Sequence, residues 1–86
     1  MRVLIVDDNA SMRNLLNVLL SSQGYEVVGM LEEGKGVMEA VRKLSPDIVC
    51  LDYQLPGRNG LEILREINST YPQIDVLFIT ASEEAD

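Results

Sequence analysis

Four short, mostly apolar runs divide the chain, and each has the length of a strand. The runs cover residues 3–6, 25–30, 48–51 and 76–79. Their β-branched side chains and near absence of polar alternation are typical of strands that are covered on both faces. The second run is the weakest, because Gly29 lies near its end. The pattern therefore predicts four buried strands.

Three stretches with helical spacing of apolar residues separate these runs. Their apolar stripes are Met12, Leu15, Leu16 and Leu19; Val37, Ala40, Val41 and Leu44; and Leu61, Leu64 and Ile67. Asn9 or Ser11 can cap the first helix, and Ser45-Pro46 is expected to end the second. Strands that alternate with helices favour right-handed crossovers and a parallel sheet with helices on both faces. We predict one α/β domain over residues 1–86.

Composition and charge narrow the range of partners. The chain has 14 acidic and 7 basic residues, and the formal net charge is −7. We expect no direct binding of nucleic acid by this segment and no membrane association, since Lys35, Arg42 and Lys43 are expected on an exposed helix face rather than in a basic patch. No apolar run approaches a membrane-spanning length. The one cysteine, Cys50, is expected in the core and is typical of a reducing cytoplasm.

Three aspartates stand at the ends of two of the predicted strands. Asp7 and Asp8 follow the first strand, and Asp52 follows the third. If these strands are parallel neighbours, the three carboxylates meet at one sheet edge, where open α/β sheets bind ligands. Each acid alone is also consistent with a helix cap or a turn. Capping does not explain their convergence, which should raise at least one pKa unless a cation neutralises the charge.

These aspartates belong to a longer series of motifs. The loop Leu55-Pro56-Gly57-Arg58-Asn59-Gly60 follows Asp52, and Thr80-Ala81 ends the fourth strand. In this order, the motifs resemble the receiver domain of two-component response regulators. The resemblance implies a flavodoxin-like, three-layer α/β fold with a parallel sheet in strand order 2-1-3-4. The fifth strand and last helix of the family are missing, so the resemblance implies a partial receiver domain, truncated after the fourth strand.

The resemblance also implies a function. Asp52 is expected to be the phosphoacceptor, receiving a phosphoryl group from a histidine kinase or a phosphotransfer protein. Mg2+ is expected on Asp7, Asp8 and Asp52, with the backbone carbonyl of Gln54 as a further ligand. Mg2+ prefers hard oxygen ligands of this kind. Such a domain is a signalling module and not an enzyme, because it turns over no outside substrate.

The hydroxyl of Thr80 and the backbone N–H of Ala81 are expected to bond the transferred phosphoryl group. The chain departs from the family at Leu55, where methionine is usual, and at Asn59, where aspartate is usual. The family's lysine after the fifth strand has no counterpart. An alternative function is therefore a truncated or degenerate receiver that acts only in dimerisation or docking, without phosphotransfer.

The fourth strand raises a question of partners. Its four side chains over residues 76–79 are all apolar, as in strands that are paired on both edges. Exposing them forgoes about 1.5–3 kcal/mol for each side chain. We therefore expect self-association, or another chain, to cover this strand.

Overall fold

Strands and helices alternate along the chain, as the apolar pattern predicts. The computed structural model describes residues 1–79. The strands are β1 (Arg2–Val6), β2 (Glu26–Leu31), β3 (Ile48–Asp52) and β4 (Asp75–Ile79). The helices over the same residues are α1 (Ala10–Ser22), α2 (Val37–Leu44) and α3 (Gly60–Thr70). Most bounds agree with the prediction to within one or two residues, and β3 extends far enough to include Asp52.

The sheet has the strand order β2-β1-β3-β4, and every neighbouring pair is parallel. This confirms the predicted flavodoxin-like arrangement. Val6 pairs with Leu51, so β1 and β3 end side by side. Between β1 and β2 the register shifts by one residue, because Val3 pairs with Val27 and Leu4 pairs with Gly29. The carboxyl ends of the strands thus form one edge.

The core lies on both faces of this sheet. On one face Leu4 and Leu51 pack with α2 and α3, whose buried side chains include Val41 and Ile63. On the other face Val3, Ile5 and Cys50 form a smaller cluster. Successive strand residues point to opposite faces, so a strand covered on both sides has a continuous apolar run. The prediction that Cys50 lies in the core is confirmed.

The apolar stripe of α1 is covered less than its sequence suggests. Leu15 and Leu19 are 51% and 52% exposed, whereas Leu16 and Leu20 pack against the smaller cluster. In the part of the chain that the structure describes, residues 1–79, no residue of α1 is fully buried. The predicted stripe of Met12, Leu15, Leu16 and Leu19 lies on α1, but of these four only Leu16 packs against that cluster. The apolar face of α1 is wider than its contact with the sheet.

The strand β4 has one partner within residues 1–79, namely β3. Val76 and Phe78 pack against the larger cluster, and Ile79 packs against the smaller one. Leu77 is 54% exposed. No helix in the described part of the chain is long and apolar enough to cross a membrane.

Candidate functional site

The structure brings Asp7, Asp8 and Asp52 together at the carboxyl edge of the sheet. Each offers a carboxylate oxygen, and these three atoms lie within 4.8 Å of one another. Asp7 and Asp52 are 4% and 8% exposed, and Asp8 is exposed. The convergence follows from the register, because Val6 and Leu51 are paired and the acids come directly after them. The predicted acidic cluster is therefore present in the fold.

Local hydrogen bonds fix the loop from β1 to α1. The backbone N–H of Asp7 donates to the carbonyl of Leu31 at 3.0 Å, which continues the β1–β2 ladder. Oδ1 of Asp7 accepts the N–H of Asn9 at 2.9 Å. Oδ1 of Asn9 in turn accepts the N–H of Met12 at 2.9 Å, so Asn9 is the cap of α1. Helix capping thus does not account for the carboxylates of Asp7 and Asp8.

The backbone beyond β3 is packed closely against the start of α3. The N–H of Gln54 donates to Oδ1 of Asp52 at 3.2 Å, as in an Asx turn. The N–H of Gly60 donates to the carbonyl of Tyr53 at 3.2 Å. A Cβ on Gly60 would lie 2.6 Å from the carbonyl oxygen of Asp52. Only glycine allows this approach, which holds the start of α3 against the residue that carries the candidate nucleophile.

Hydrogen bonds tie the loop after β3 to α3 and to the loop after β2. Oδ1 of Asn59 accepts the N–H of Leu61 at 2.7 Å, so Asn59 caps α3. The carbonyl of Pro56 accepts the N–H of Gly34 at 3.1 Å, which ties this loop to the one after β2. Lys35 is exposed, but it lies in that second loop, before α2 begins at Val37. The prediction that it shares a helix face with Arg42 and Lys43 is therefore wrong.

The electrostatics of the cluster disfavour a charged Asp52. Burial is the largest cause that raises the pKa of Asp52, and the charges of Asp7 and Asp8 raise it further. The N–H of Gln54 acts in the opposite direction by stabilising the carboxylate. The prediction that at least one of these acids has a raised pKa is confirmed for Asp52, and burial contributes more to the rise than charge repulsion does. Mg2+ prefers hard oxygen ligands, and its positive charge would offset the repulsion among these carboxylates, so the residues fit that ion.

The roles of Thr80, Ala81 and the backbone carbonyl of Gln54 stay predictions. Thr80 and Ala81 lie outside the described residues, and so do Glu83 and Glu84, at which the sequence favours the start of a further helix. For Gln54 the contact to Asp52 runs through its N–H, and the role of its carbonyl stays a prediction.

Arg13 is a residue near the site that the pattern of the sequence did not indicate. Its Nη1 donates to the carbonyl oxygen of Asp7 at 2.8 Å. The spacing of apolar residues places Arg13 off the apolar stripe of α1, but it carries no signal for a side chain that reaches back to a backbone carbonyl. Gly60 likewise carries only the signal of a turn residue in the sequence.

Comparison with known proteins identifies the family. A family model described as the response regulator receiver domain matches residues 3–86. The chain belongs to the response regulator receiver domain family. Receiver domains take part in two-component signalling, and bound Mg2+ and a phosphorylated aspartate are typical of them. In general they interact with histidine kinases or phosphotransfer proteins and are signalling modules.

The relatives differ greatly in length. The chemotaxis protein CheY of Thermotoga maritima is 39% identical over 80 residues, which cover 93% of this receiver domain and 67% of CheY. A protein-glutamate methylesterase/protein-glutamine glutaminase of Myxococcus xanthus is 42% identical over 84 residues, covering 96% of this receiver domain and 24% of the relative. This receiver domain thus spans about a quarter of the methylesterase and about two thirds of CheY.

A solved structure shows the same fold. The crystal structure of the response regulator TrrA of Thermotoga maritima, in complex with Mg2+-BeF, aligns with a TM-score of 0.88 at 33% identity. The alignment covers 95% of this receiver domain and 70% of that chain.

Proposed function

We propose that this chain is a phosphoacceptor module, in which Asp52 receives a phosphoryl group from a histidine kinase or a phosphotransfer protein. The observation that carries the proposal is the approach of three carboxylate oxygens to within 4.8 Å at the carboxyl edge of the sheet. Asp52 is the acid at the end of β3, and its pKa is raised. Residues 1–86 act in this proposal as one partial receiver domain.

The proposal includes a Mg2+ site on Asp7, Asp8 and Asp52, with the backbone carbonyl of Gln54 as a further ligand. The donor set supports it, because carboxylate oxygens match the preference of Mg2+. The exposure of Asp8 leaves the cluster open to solvent on one side. When bound, the ion supplies charge neutralisation for the phosphoryl oxygens and the carboxylates. The crystal structure of the relative TrrA in complex with Mg2+-BeF also supports the proposal.

The transfer step uses the carboxylate of Asp52 as the nucleophile. A bond forms between a carboxylate oxygen and phosphorus while the phosphorus–nitrogen bond of a phosphohistidine breaks. The electron pair of that bond stays on the imidazole nitrogen of the donor, which then takes up a proton. Such a transition state is loose and highly charged, so the protein contributes mainly positioning and charge neutralisation.

The remaining roles in this proposal belong to the two residues that follow Ile79 in the sequence. In the proposal, the hydroxyl of Thr80 and the backbone N–H of Ala81 bond the phosphoryl group after transfer. The module turns over no outside substrate and is not an enzyme.

The proposal extends to partners and location. We assign self-association, or contact with another chain, to β4, because Leu77 is 54% exposed on a strand with one described partner. Static light scattering checks the self-association, since a monomer at all concentrations would contradict it. The net charge of −7 supports the absence of direct nucleic-acid or membrane binding. A single free cysteine, Cys50, supports a cytoplasmic location.

Incubation with acetyl phosphate and MgCl2, followed by intact-protein mass spectrometry, tests the phosphoacceptor function. We expect the parent chain to gain the mass of one phosphoryl group, and D52N to gain none. The matched control is D75N, which removes an exposed aspartate at the opposite end of the sheet and should be phosphorylated like the parent. EDTA should abolish the gain. A parent chain that stays unmodified would instead favour the docking alternative.

A further inference from the structure

Arg13 contacts the peptide group that joins the two consecutive aspartates of the acidic cluster. It lies in the first turn of α1 and is partly buried. Its Nη1 donates to the carbonyl oxygen of Asp7 at 2.8 Å. Hydrogen bonds from a charged donor are stronger than those between neutral groups. The contact therefore links α1 directly to the backbone that carries Asp7 and Asp8.

This peptide group lies just beyond the end of β1. Asp7 is held by its N–H, which donates to Leu31, and by its Oδ1, which accepts from Asn9. Asp8 is exposed and is the first residue past that ladder. The orientation of the peptide plane between Asp7 and Asp8 sets the direction in which the backbone continues into Asp8. The Arg13 bond holds that plane through its carbonyl.

We propose that Arg13 is a positioning residue for the divalent-cation site, holding the Asp7–Asp8 peptide so that both carboxylates meet Asp52. The inference rests on the proposed function, since it needs a cation to bind at this cluster. Arg13 touches a backbone carbonyl and no reacting group, so it acts through the placement of the carboxylates. Groups that orient metal ligands in this way typically contribute about 10- to 100-fold to metal affinity.

The charge of Arg13 should weaken cation binding, whereas its positioning of the carboxylates should strengthen it. The direction in which a neutral variant changes the Mg2+ affinity therefore tests the inference. A guanidinium beside the cluster repels a divalent cation. If charge were its main effect, the neutral variant R13M would bind Mg2+ more tightly than the parent chain. If Arg13 acts by positioning, R13M binds Mg2+ more weakly, although the net charge has become more negative.

A matched control exists at the other end of β1. Nη2 of Arg2 also donates to a backbone carbonyl, that of Leu44. R2M therefore removes the same charge and the same kind of hydrogen bond, at a place far from the acidic edge. R13K serves as the conservative variant, because its ammonium keeps the charge and one donor but loses the planar fork of arginine.

Calorimetric titration of MgCl2 into the parent, R13M, R13K and R2M chains is the test, with urea unfolding of each in parallel. We expect the dissociation constant of R13M to rise about 10- to 100-fold, that of R13K to lie between R13M and the parent, and that of R2M to match the parent. Should R13M fail to fold, weaker binding by folded R13K than by R2M supports the inference.

Affinities of R13M and R13K that equal or exceed that of R2M would overturn the inference while leaving the metal site of the proposed function intact. A parent chain that binds no Mg2+ overturns both, because there is then no site to position.

Discussion

Replacing Asp52 by asparagine should stabilise the fold when no divalent cation is bound. The substitution keeps the shape of the side chain and removes its charge from a cluster whose oxygens lie within 4.8 Å. At that separation two unit charges repel by roughly 1 kcal/mol in water and by about 3.5 kcal/mol at an effective dielectric constant of about 20. Asp52 faces the charges of both Asp7 and Asp8. Because Asp8 is exposed, its repulsion of Asp52 lies near the lower figure.

One loss offsets this gain. The N–H of Gln54 donates to Oδ1 of Asp52, and its bond to a neutral amide oxygen is weaker by about 1 kcal/mol. The expected net change is therefore an increase of about 1–3 kcal/mol in the free energy of unfolding, as worked from these Coulomb and hydrogen-bond magnitudes.

Urea unfolding followed by circular dichroism, in EDTA and again in MgCl2, measures this difference. Mg2+ at about 100 times its dissociation constant should add about 2.7 kcal/mol to the parent, so the advantage of D52N should shrink or reverse. The control D75N removes an equal charge at the amino end of β4. If D52N in EDTA is no more stable than D75N, or if Mg2+ leaves the difference unchanged, the reasoning is refuted.

Three further predictions concern the same elements. The pKa of Asp52 in the folded chain is raised from its ordinary value of 3.8. Protonation of Asp52 therefore stabilises the fold fully below the pKa of the unfolded chain, and this stabilisation is lost as the pH rises through the pKa of the folded chain. The advantage of D52N in urea midpoint without Mg2+ should therefore widen over that rise, and a constant gap would contradict the burial of this charge. G60A should lower the free energy of unfolding by about 1–3 kcal/mol, because its Cβ overlaps backbone; an unchanged urea midpoint would mean that the close approach is absent. I63A should lower the free energy of unfolding by about 2–5 kcal/mol, and L61A should lower it by less, because Leu61 is 36% exposed whereas Ile63 is fully buried. Equal losses in thermal or urea unfolding would contradict the assignment of the core.

The strands were predictable because their side chains are mostly apolar and have few polar positions that could face solvent. A run such as residues 3–6 has no polar position to place toward solvent, and the structure buries it on both faces. The meeting of Asp7 and Asp52 was predictable for a related reason, since the carboxyl ends of parallel neighbours share an edge. The strand order came from the family resemblance, because apolar pattern alone does not specify which strands pair.

The features that escaped prediction depend on distances between residues far apart in sequence or on the reach of a side chain. The helical spacing of α1 identifies an apolar face, but only the position of the sheet decides that Leu16 is covered and Leu15 is not. Gly60 matters because it approaches the backbone of Asp52 to a distance that excludes a Cβ. The bond from Arg13 to the carbonyl of Asp7 leaves no periodic signal.

The central claim is that Asp52 itself carries the phosphoryl group, and chemical trapping tests it most directly. After incubation with acetyl phosphate and MgCl2, borohydride reduces an aspartyl phosphate to homoserine, and peptide mass spectrometry then identifies the converted residue. The proposed function predicts homoserine at position 52 and unchanged aspartate at positions 7 and 8. Conversion at position 7 or 8, or conversion at none of the three, would contradict it.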